Sequence, residues 1–263
     1  WLNADQTFAT IGYTLAPEHQ GHGYALEAVE GVVDWLFRSK RVHRVGATID
    51  PRNMASARVL ERCGFEYVGT SRSSALVRGE WTDDARFSLL EPDWKAWRER
   101  PTGPPGVVSL VEITDDNVRA VGELEVAFSQ DDMVAPVLVS ISQAWAPPVV
   151  RGEPVRPWLR AIEADGELAG FVMFAEPAGR HVHPYLWRYL IDVRHQGRGI
   201  GRRALLDIFR SRRADGATHI EVSWVPDVVG SPAPFYQGLG FVPTGNVHDG
   251  EVEALLDLST LPD

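Results

Sequence analysis

The chain has a single cysteine, Cys63. A disulfide framework needs pairs, so none can form within the chain, and the count points to a reducing, cytoplasmic setting. A lone cysteine of this kind is expected to be a small core residue rather than a nucleophile. No apolar run approaches the ~18 residues a membrane-crossing helix needs. The stretch from Trp1 has no basic-then-apolar leader pattern. Positive charge is in deficit, with 26 Lys and Arg against 36 Asp and Glu and a net charge of −10. That disfavours nucleic acid as a partner and suits a cationic or amine-bearing one, or simply solubility. Two phosphate-binding signatures are absent: there is no G-x-x-x-x-G-K-[ST], and no G-x-G-x-x-G followed by an acid after a second strand. His181-x-His183 and His195 lack further ligands at suitable spacing, so no metal is expected.

What the sequence does have is a pattern used twice. HQGHGYALEAVEGVVDWLF runs from His19 to Phe37, and HQGRGIGRRALLDIF from His195 to Phe209. Gln20 and Gln196 are 176 residues apart, as are Gly23 and Gly199, and Ala25 and Gly201. Gly64-Phe65 and Gly240-Phe241 share that offset. Two separate motifs at one spacing argue for a duplicated module. The Pro/Gly-rich PTGPPG at 101–106 reads as a linker between a first module, 1–100, and a second, 107–263.

In the second module VVSLVEIT reads as a strand, followed by a helix capped by Asp115 or Asp116 and running to about Phe128. Strands are expected in ELAGFVMFAEP, PYLWRYLIDV, HIEVSWV and EVEALLDL, with Asp165-Gly166 as a turn. Helices are expected from Ile200 to about Arg213 and in PAPFYQGL. In the first module the same reading gives a strand in ATIGYTLA, the motif helix, a strand in RVGATID, a helix in MASARVLERC and two strands around RGEWTDDARFSLL. By the common offset, roughly 70 residues of strands and helices that the second module has are expected to be missing from the front of the first. The fold class expected is α/β, with two modules in which strands are interspersed with helices.

Gln196-Gly197-Arg198-Gly199-Ile200-Gly201 lies between a strand end and a helix start. The first N–H groups of a helix lack intrahelical partners, the macrodipole adds partial positive charge, and glycines let a ligand approach the backbone. Such a nest suits a phosphate or pyrophosphate, with Arg198, Arg202 and Arg203 adding charge beside it. A packing turn is the plain alternative.

With those residues in view, the chain resembles the GNAT N-acetyltransferases. QGRGIG and QGHGYA match the acyl-CoA pyrophosphate signature Q-x-x-G-x-[GA], and FYQGLGF matches the later Tyr and Gly-Phe. The resemblance implies that each module is a mixed, largely antiparallel sheet with flanking helices and a pair of parallel strands that splay beside the nest, and it implies an acetyl-CoA cosubstrate. Its cofactor-binding residues would be Leu190, Ile191, Val193, Gln196, Gly197, Arg198, Gly199, Ile200, Gly201 and Arg202, with Gln20, Gly21, His22, Gly23, Tyr24, Ala25, Asn53 and Ser56 in the first module. The first module resembles the ribosomal-protein N-terminal acetyltransferase branch, on DPRNMASARVLERCGF and RGEWTDDARFSLL. The second resembles the spermine/spermidine branch, on WRYLIDVRHQGRGIG and FYQGLGFVPTG.

Acetyl transfer needs a neutral amine, a donor for the oxyanion and a proton for the leaving thiolate. The resemblance places the proton donor at Tyr236, where the first module has Leu60. Glu221 is the expected general base, with Asp192, Glu251 and a water-mediated base as alternatives; Asp192 is expected at the surface, and alternation along HIEVSWV leaves the facing of Glu221 open. Trp145, Trp158, Trp187, Trp224, Phe235 and Tyr236 are candidates for an aromatic acceptor wall. The acceptor expected is a small amine, polyamine or aminoglycoside-like molecule. A protein N-terminus or lysine is the alternative, as is a first module that binds acyl-CoA, or only packs, without catalysis. Neither nucleic acid nor membrane is an expected partner; a second copy, in a homodimer, is an admissible one.

Overall fold

The computed structural model describes residues 1–150, 152–177, 181–226 and 230–262. The chain divides into two compact units, Trp1–Arg100 and Pro101–Asp263. Among the described residues no helix is long and apolar enough to cross a membrane.

The first unit runs β1 (Phe8–Ile11), α1 (Tyr24–Trp35), β2 (Arg44–Ile49), α2 (Met54–Arg62), β3 (Glu66–Val77), β4 (Glu80–Leu90) and α3 (Glu91–Glu99). Its sheet has the order β1-β2-β4-β3, with β1 and β2 parallel and the other pairs antiparallel. α3 was not foreseen. Pro92 in its first turn tolerates the missing N–H, and Trp94 supplies the apolar anchor by stacking on Phe37 at 5.1 Å.

The second unit begins with β5 (Val108–Val111), α4 (Val118–Gly122) and α5 (Val137–Trp145), followed by the short strands β6 (Val149–Val150) and β7 (Glu153–Pro154). It continues with β8 (Pro157–Ala164), β9 (Glu167–Ala175), β10 (Tyr185–Ile191), α6 (Ile200–Ala214), β11 (His219–Trp224), α7 (Ala233–Leu239), β12 (Val242–His248) and β13 (Glu251–Asp257). The seven-stranded sheet has the order β12-β13-β11-β10-β9-β8-β5, and only β10 and β11 pair in parallel. Both units are thus mixed α/β, each with one parallel strand pair in an otherwise antiparallel sheet.

Three expectations are corrected. The helix expected from Asp115 or Asp116 to Phe128 is only the five residues of α4, preceded by Asn117 rather than an aspartate. β8 is a full strand that hairpins onto β9 through Asp165-Gly166, where Asp165 (φ 53) and Gly166 (φ 87) take the two left-handed positions of the turn. β12 makes the last strand, EVEALLDL, one arm of a hairpin rather than a lone closing strand.

The core of the second unit has two layers. On one face Ile200, Ala204, Leu205, Ile208 and Phe209 of α6 and Tyr236 and Leu239 of α7 pack with Ile162, Val172, Phe174, Ile220, Val222 and Leu256 of the sheet. On the other face α4 and α5 bring Val121 and Val137 against Ala161, Phe171, Met173 and Leu190. Gly170 sits at the seam. A Cβ there would stand 2.5 Å from the Leu190 carbonyl and 2.8 Å from Ile191 Cδ1, in the paired stretch of β9 and β10 where neither strand can retreat. Gly170→Ala is therefore expected to cost about 2 kcal/mol by overpacking, read as a lower midpoint in urea. Gly238→Ala, which meets nothing within 4 Å and lies in α7, is the contrasting control, expected to raise the midpoint by up to about 1 kcal/mol of stability.

The sequence offset survives in three dimensions. The parallel register pairs Ala9 with Val45 and Tyr185 with Glu221, each residue 176 from its counterpart.

Candidate active site

In the second unit β10 is followed by a 3₁₀ turn, Val193–His195. Asp192 caps it by accepting from the Arg194 N–H at 3.0 Å, and also accepts from the Glu125 N–H and the Arg194 guanidinium. Asp192 is 1% exposed. It is a buried structural carboxylate, not the surface one expected, and it already has these partners. Gly197 (φ 77) and Gly199 (φ 75) then take left-handed conformations that an L side chain rarely adopts. Gly199 is the N-cap of α6 and no side chain caps that end. A Cβ at Gly197 or Gly199 would meet nothing within 4 Å. The N-terminus of this 15-residue helix is thus without a side-chain cap, and the two glycine positions before it border open space.

The first unit repeats this backbone. A 3₁₀ turn at Pro17–His19 leads through Gln20 (ψ 158, against 159 for Gln196), Gly21 (φ 78) and Gly23 (φ 84) into α1. The two glutamines do the same structural work. Gln196 Nε2 donates to the Ile191 carbonyl at 2.9 Å, and Gln20 Nε2 to the Leu15 carbonyl at 3.1 Å. Each side chain staples its loop.

Other residues expected at the cofactor are engaged elsewhere. Arg198 is 5% exposed; its guanidinium donates to the Gly103 carbonyl at 3.0 Å and approaches Asp165 at 3.7 Å. Arg203 donates to the Pro105 and Gly106 carbonyls, and Arg202 to the Gly238 carbonyl at 2.7 Å. The charge expected beside the nest instead ties down the 101–106 segment and the end of α7. Beside Arg198, burial holds the His195 imidazole below its usual pKa. Ile200 is a core residue, and Gly201 is a packing glycine: its Cβ would lie 2.9 Å from the Tyr189 hydroxyl, which donates to the Gly201 carbonyl. Leu190 is buried against α4 and α5. The Val193 N–H donates to the Glu125 carbonyl, and the Ile191 carbonyl is the one taken by Gln196.

In the first unit Asn53 caps α2 by accepting from the Ser56 N–H at 3.1 Å, and the Ser56 carbonyl accepts from Tyr13. His22 bonds the Gln20 carbonyl through Nδ1 and stacks on the exposed Tyr24, while Ala25 is half-buried. Leu60 is fully buried. Burial pushes the Cys63 thiol up to about 12, which removes it as a nucleophile.

Tyr236 lies on α7, stacked on Trp224 with ring centroids 5.8 Å apart and planes 17° apart. Burial, then the nearby Tyr185 and Glu251, hold its hydroxyl well above the usual tyrosine range, so it stays protonated. The strands that flank this region part company. β10 and β11 share one register pair, Tyr185 with Glu221, and the Glu221 N–H donates to the Pro184 carbonyl.

Alternation along β11 does resolve its facing. Ile220, Val222 and Trp224 enter the core, so Glu221 and Ser223 point the other way. On β13 Val252, Ala254 and Leu256 pack inward in the same way, leaving Glu251 and Glu253 on the outer face. That face carries a cavity of about 500 Å³ lined by Val182, His183, Glu221, Asn246, His248, Glu253 and Leu255. Glu221, 6% exposed, accepts from or donates to His181 Nδ1 at 2.5 Å, according to tautomer and protonation. Hydrogen bonds from Asn246 and Thr244, with His248 nearby, outweigh partial burial and hold the Glu253 carboxyl below its usual pKa. The cavity is therefore acidic on one wall.

The six aromatics do not form one wall. Trp224 and Tyr236 are core, Trp158 packs edge-on to Phe174, Trp187 lies against the α4/α5 layer, Phe235 stacks on Tyr189, and Trp145 is 91% exposed. Tyr185, Ser223 and Arg188, which meet at the strand parting, were not singled out from the sequence. The polar i, i+2 positions of HIEVSW were the signal for Ser223.

A family model described as acetyltransferase (GNAT) domain matches residues 1–66, and one described as acetyltransferase (GNAT) family matches residues 118–241. The probable N-acetyltransferase YjcK of Bacillus subtilis is 42% identical over 85 residues, 32% of this chain and 47% of that protein. The [ribosomal protein uS5]-alanine N-acetyltransferase of Escherichia coli is 33% identical over 88 residues, 34% of this chain and 45% of that protein. The crystal structure of a ribosomal-protein-S5-alanine acetyltransferase from Vibrio fischeri aligns with TM-score 0.34 and 34% identity, covering 35% of this chain and 51% of that one. The chain thus spans about half the length of the curated relatives it matches. The two matched regions together make up most of its length, and the chain belongs to the GNAT acetyltransferases, with two domains of that family in tandem.

Proposed function

We propose that the second unit transfers the acetyl group of acetyl-CoA to a small cationic amine. The observation that carries this is the parting of β10 and β11 between an uncapped glycine nest on one side and an acidic cavity on the other. The nest at Gly197 to Gly199 holds the pyrophosphate through backbone N–H groups. The parted strands admit the pantetheine arm, which brings the thioester towards Tyr236. Tyr236 protonates the departing sulfur. Glu253, held ionised by its neighbours, attracts the acceptor's positive charge, and Glu221 orients His181 at the same wall. Acetyl-CoA supplies the activated acetyl group; the chain supplies position, a proton donor and a proton acceptor.

The test is thiol release from acetyl-CoA across a panel of mono-, di- and polyamines. Polyamine turnover that weakens with added salt is the expected result; no release with any amine sinks the proposal. A second reading, acetylation of a protein N-terminus, is favoured by the 33% identity to an enzyme named for the alanine of a ribosomal protein. Peptides with an N-terminal alanine therefore belong in the same panel, and turnover of those alone would move the acceptor from small amine to protein. For the first unit, which has Leu60 at the position of Tyr236, we propose acyl-CoA binding or scaffolding without turnover.

A further inference from the structure

An acceptor that arrives as an ammonium must lose a proton before its nitrogen can attack, and the proposed acetyl transfer leaves the route of that proton open. Glu221, the expected base, is closed onto His181. A second chain of hydrogen bonds lies beside it. Tyr185 Oη and Ser223 Oγ are 2.7 Å apart, and Ser223 Oγ donates to Glu251 Oε2. A serine hydroxyl has one proton. Ser223 gives its proton to the carboxylate, so the bond between the two hydroxyls is donated by Tyr185. The Tyr185 oxygen then presents only lone pairs to any further group. The chain therefore has a single polarity, with its accepting end at Tyr185 and its sink at Glu251.

Its place in the fold matches that polarity. Tyr185 is the one β10 residue in register with β11, at the vertex from which the strands part. Both Tyr185 and Glu251 are close enough to Tyr236 to act on its hydroxyl, after burial. Glu251 is partly exposed and can pass a proton to water. The charged and titratable groups facing the chain are Arg188 on β10, close to Tyr185 and Glu251, and His181, stacked on Tyr185 at 4.4 Å and paired with Glu221 of β11. Among the described residues, Glu253 on β13, His248 on β12 and Tyr236 on α7 are the others.

We infer that Tyr185, Ser223 and Glu251 form a one-way proton relay that deprotonates the acceptor ammonium. The inference rests on the acetyltransferase reading. Tyr185 Oη takes a proton from the ammonium as Tyr185 passes its own to Ser223 and Ser223 passes its own to Glu251. The freed nitrogen lone pair forms the N–C bond and the C–S bond breaks. The sulfur receives the Tyr236 proton, and the second nitrogen-bound proton restores Tyr236. Ammonium and thioester become amide and thiol, with one proton released through Glu251.

The experiment is the pH dependence of kcat/KM for the best amine of the panel, in the full chain and in Tyr185→Phe, Ser223→Ala, Glu251→Gln and Ser223→Thr. The first three variants are expected to lose about a hundredfold near neutral pH. That loss shrinks as pH approaches the amine's own pKa near ~10, where free amine forms without help. Ser223→Thr, which keeps the hydroxyl, stays within about threefold of the parent, since only the methyl is added. A loss equal at every pH, or Tyr185→Phe and Glu251→Gln profiles matching the parent, overturns the relay. A parent chain with no turnover on any amine overturns the acetyltransferase reading itself, a separate and recognisable result. Circular dichroism melts identify a variant that has merely unfolded; the partly exposed Glu251→Gln variant is then the deciding one.

Discussion

Tyr236→Phe is expected to lower kcat about a hundredfold while the KM for acetyl-CoA stays within about twofold, because a positioned general acid contributes 10²–10⁴ to rate and little to ground-state binding. The substitution is clean on structural grounds. The ring of Tyr236 is held by Trp224 in a stacked contact and by Phe235 and Phe241 edge-on, and phenylalanine keeps all three. Only the hydroxyl leaves. The pH dependence carries independent information. A group acting as an acid loses function as pH rises through its pKa, and burial raises that of Tyr236. Its alkaline limb is therefore expected above the ordinary tyrosine value of about 10. A kcat unchanged by the substitution at every pH would remove Tyr236 from the chemistry and leave it a core residue. Thiol release under saturating amine, followed from near-neutral to strongly alkaline pH, gives both readings in one series.

Much of this site was legible in the sequence because backbone conformation demanded particular residues. Gly197, Gly199, Gly21 and Gly23 occupy left-handed positions, so the turn that builds the nest leaves a glycine signature. The shared offset of 176 was legible for the same reason, and the strand register later repeated it. Side-chain direction was less readable. Arg198, Arg202 and Arg203 looked like phosphate ligands from spacing alone, yet a long side chain reaches whichever carbonyl its rotamer finds, here those of Gly103, Gly238, Pro105 and Gly106. The burial of Asp192 is not legible, because a capping carboxylate and a surface one have the same sequence context. β8 is masked in the sequence because Arg160 and Glu163 interrupt PWLRAIEA, although its register with β9 is nearly continuous. The helices α1 and α6 show how context overrides pattern. Ile200, Ala204 and Ile208 are buried beneath the sheet of the second unit. Their counterparts at the same offset, Tyr24, Ala28 and Val32, are exposed in the first, whose sheet has no strands matching β5, β8 and β9 among the described residues.

That contrast makes the two nests experimentally separable. Gly199→Val is expected to raise the KM for acetyl-CoA about a hundredfold, a loss of roughly 2.7 kcal/mol. Two effects combine. A β-branched residue is strained at φ 75, and its Cβ projects into the open space from which the pyrophosphate would approach the first turn of α6. Gly23→Val imposes the same strain at φ 84 and the same obstruction on α1. The backbone cost is thus matched between the variants, and any difference in turnover reports which nest feeds the chemistry. Turnover is expected to survive Gly23→Val, because Leu60 stands at the position of Tyr236, the proposed proton donor. Equal losses in both variants would show that both nests serve catalysis, and an unimpaired Gly199→Val enzyme would dismiss the nest as a packing turn. Calorimetric titration with CoA completes the comparison. If the first nest binds without turning over, the parent chain takes up two equivalents, and each valine variant removes one of them.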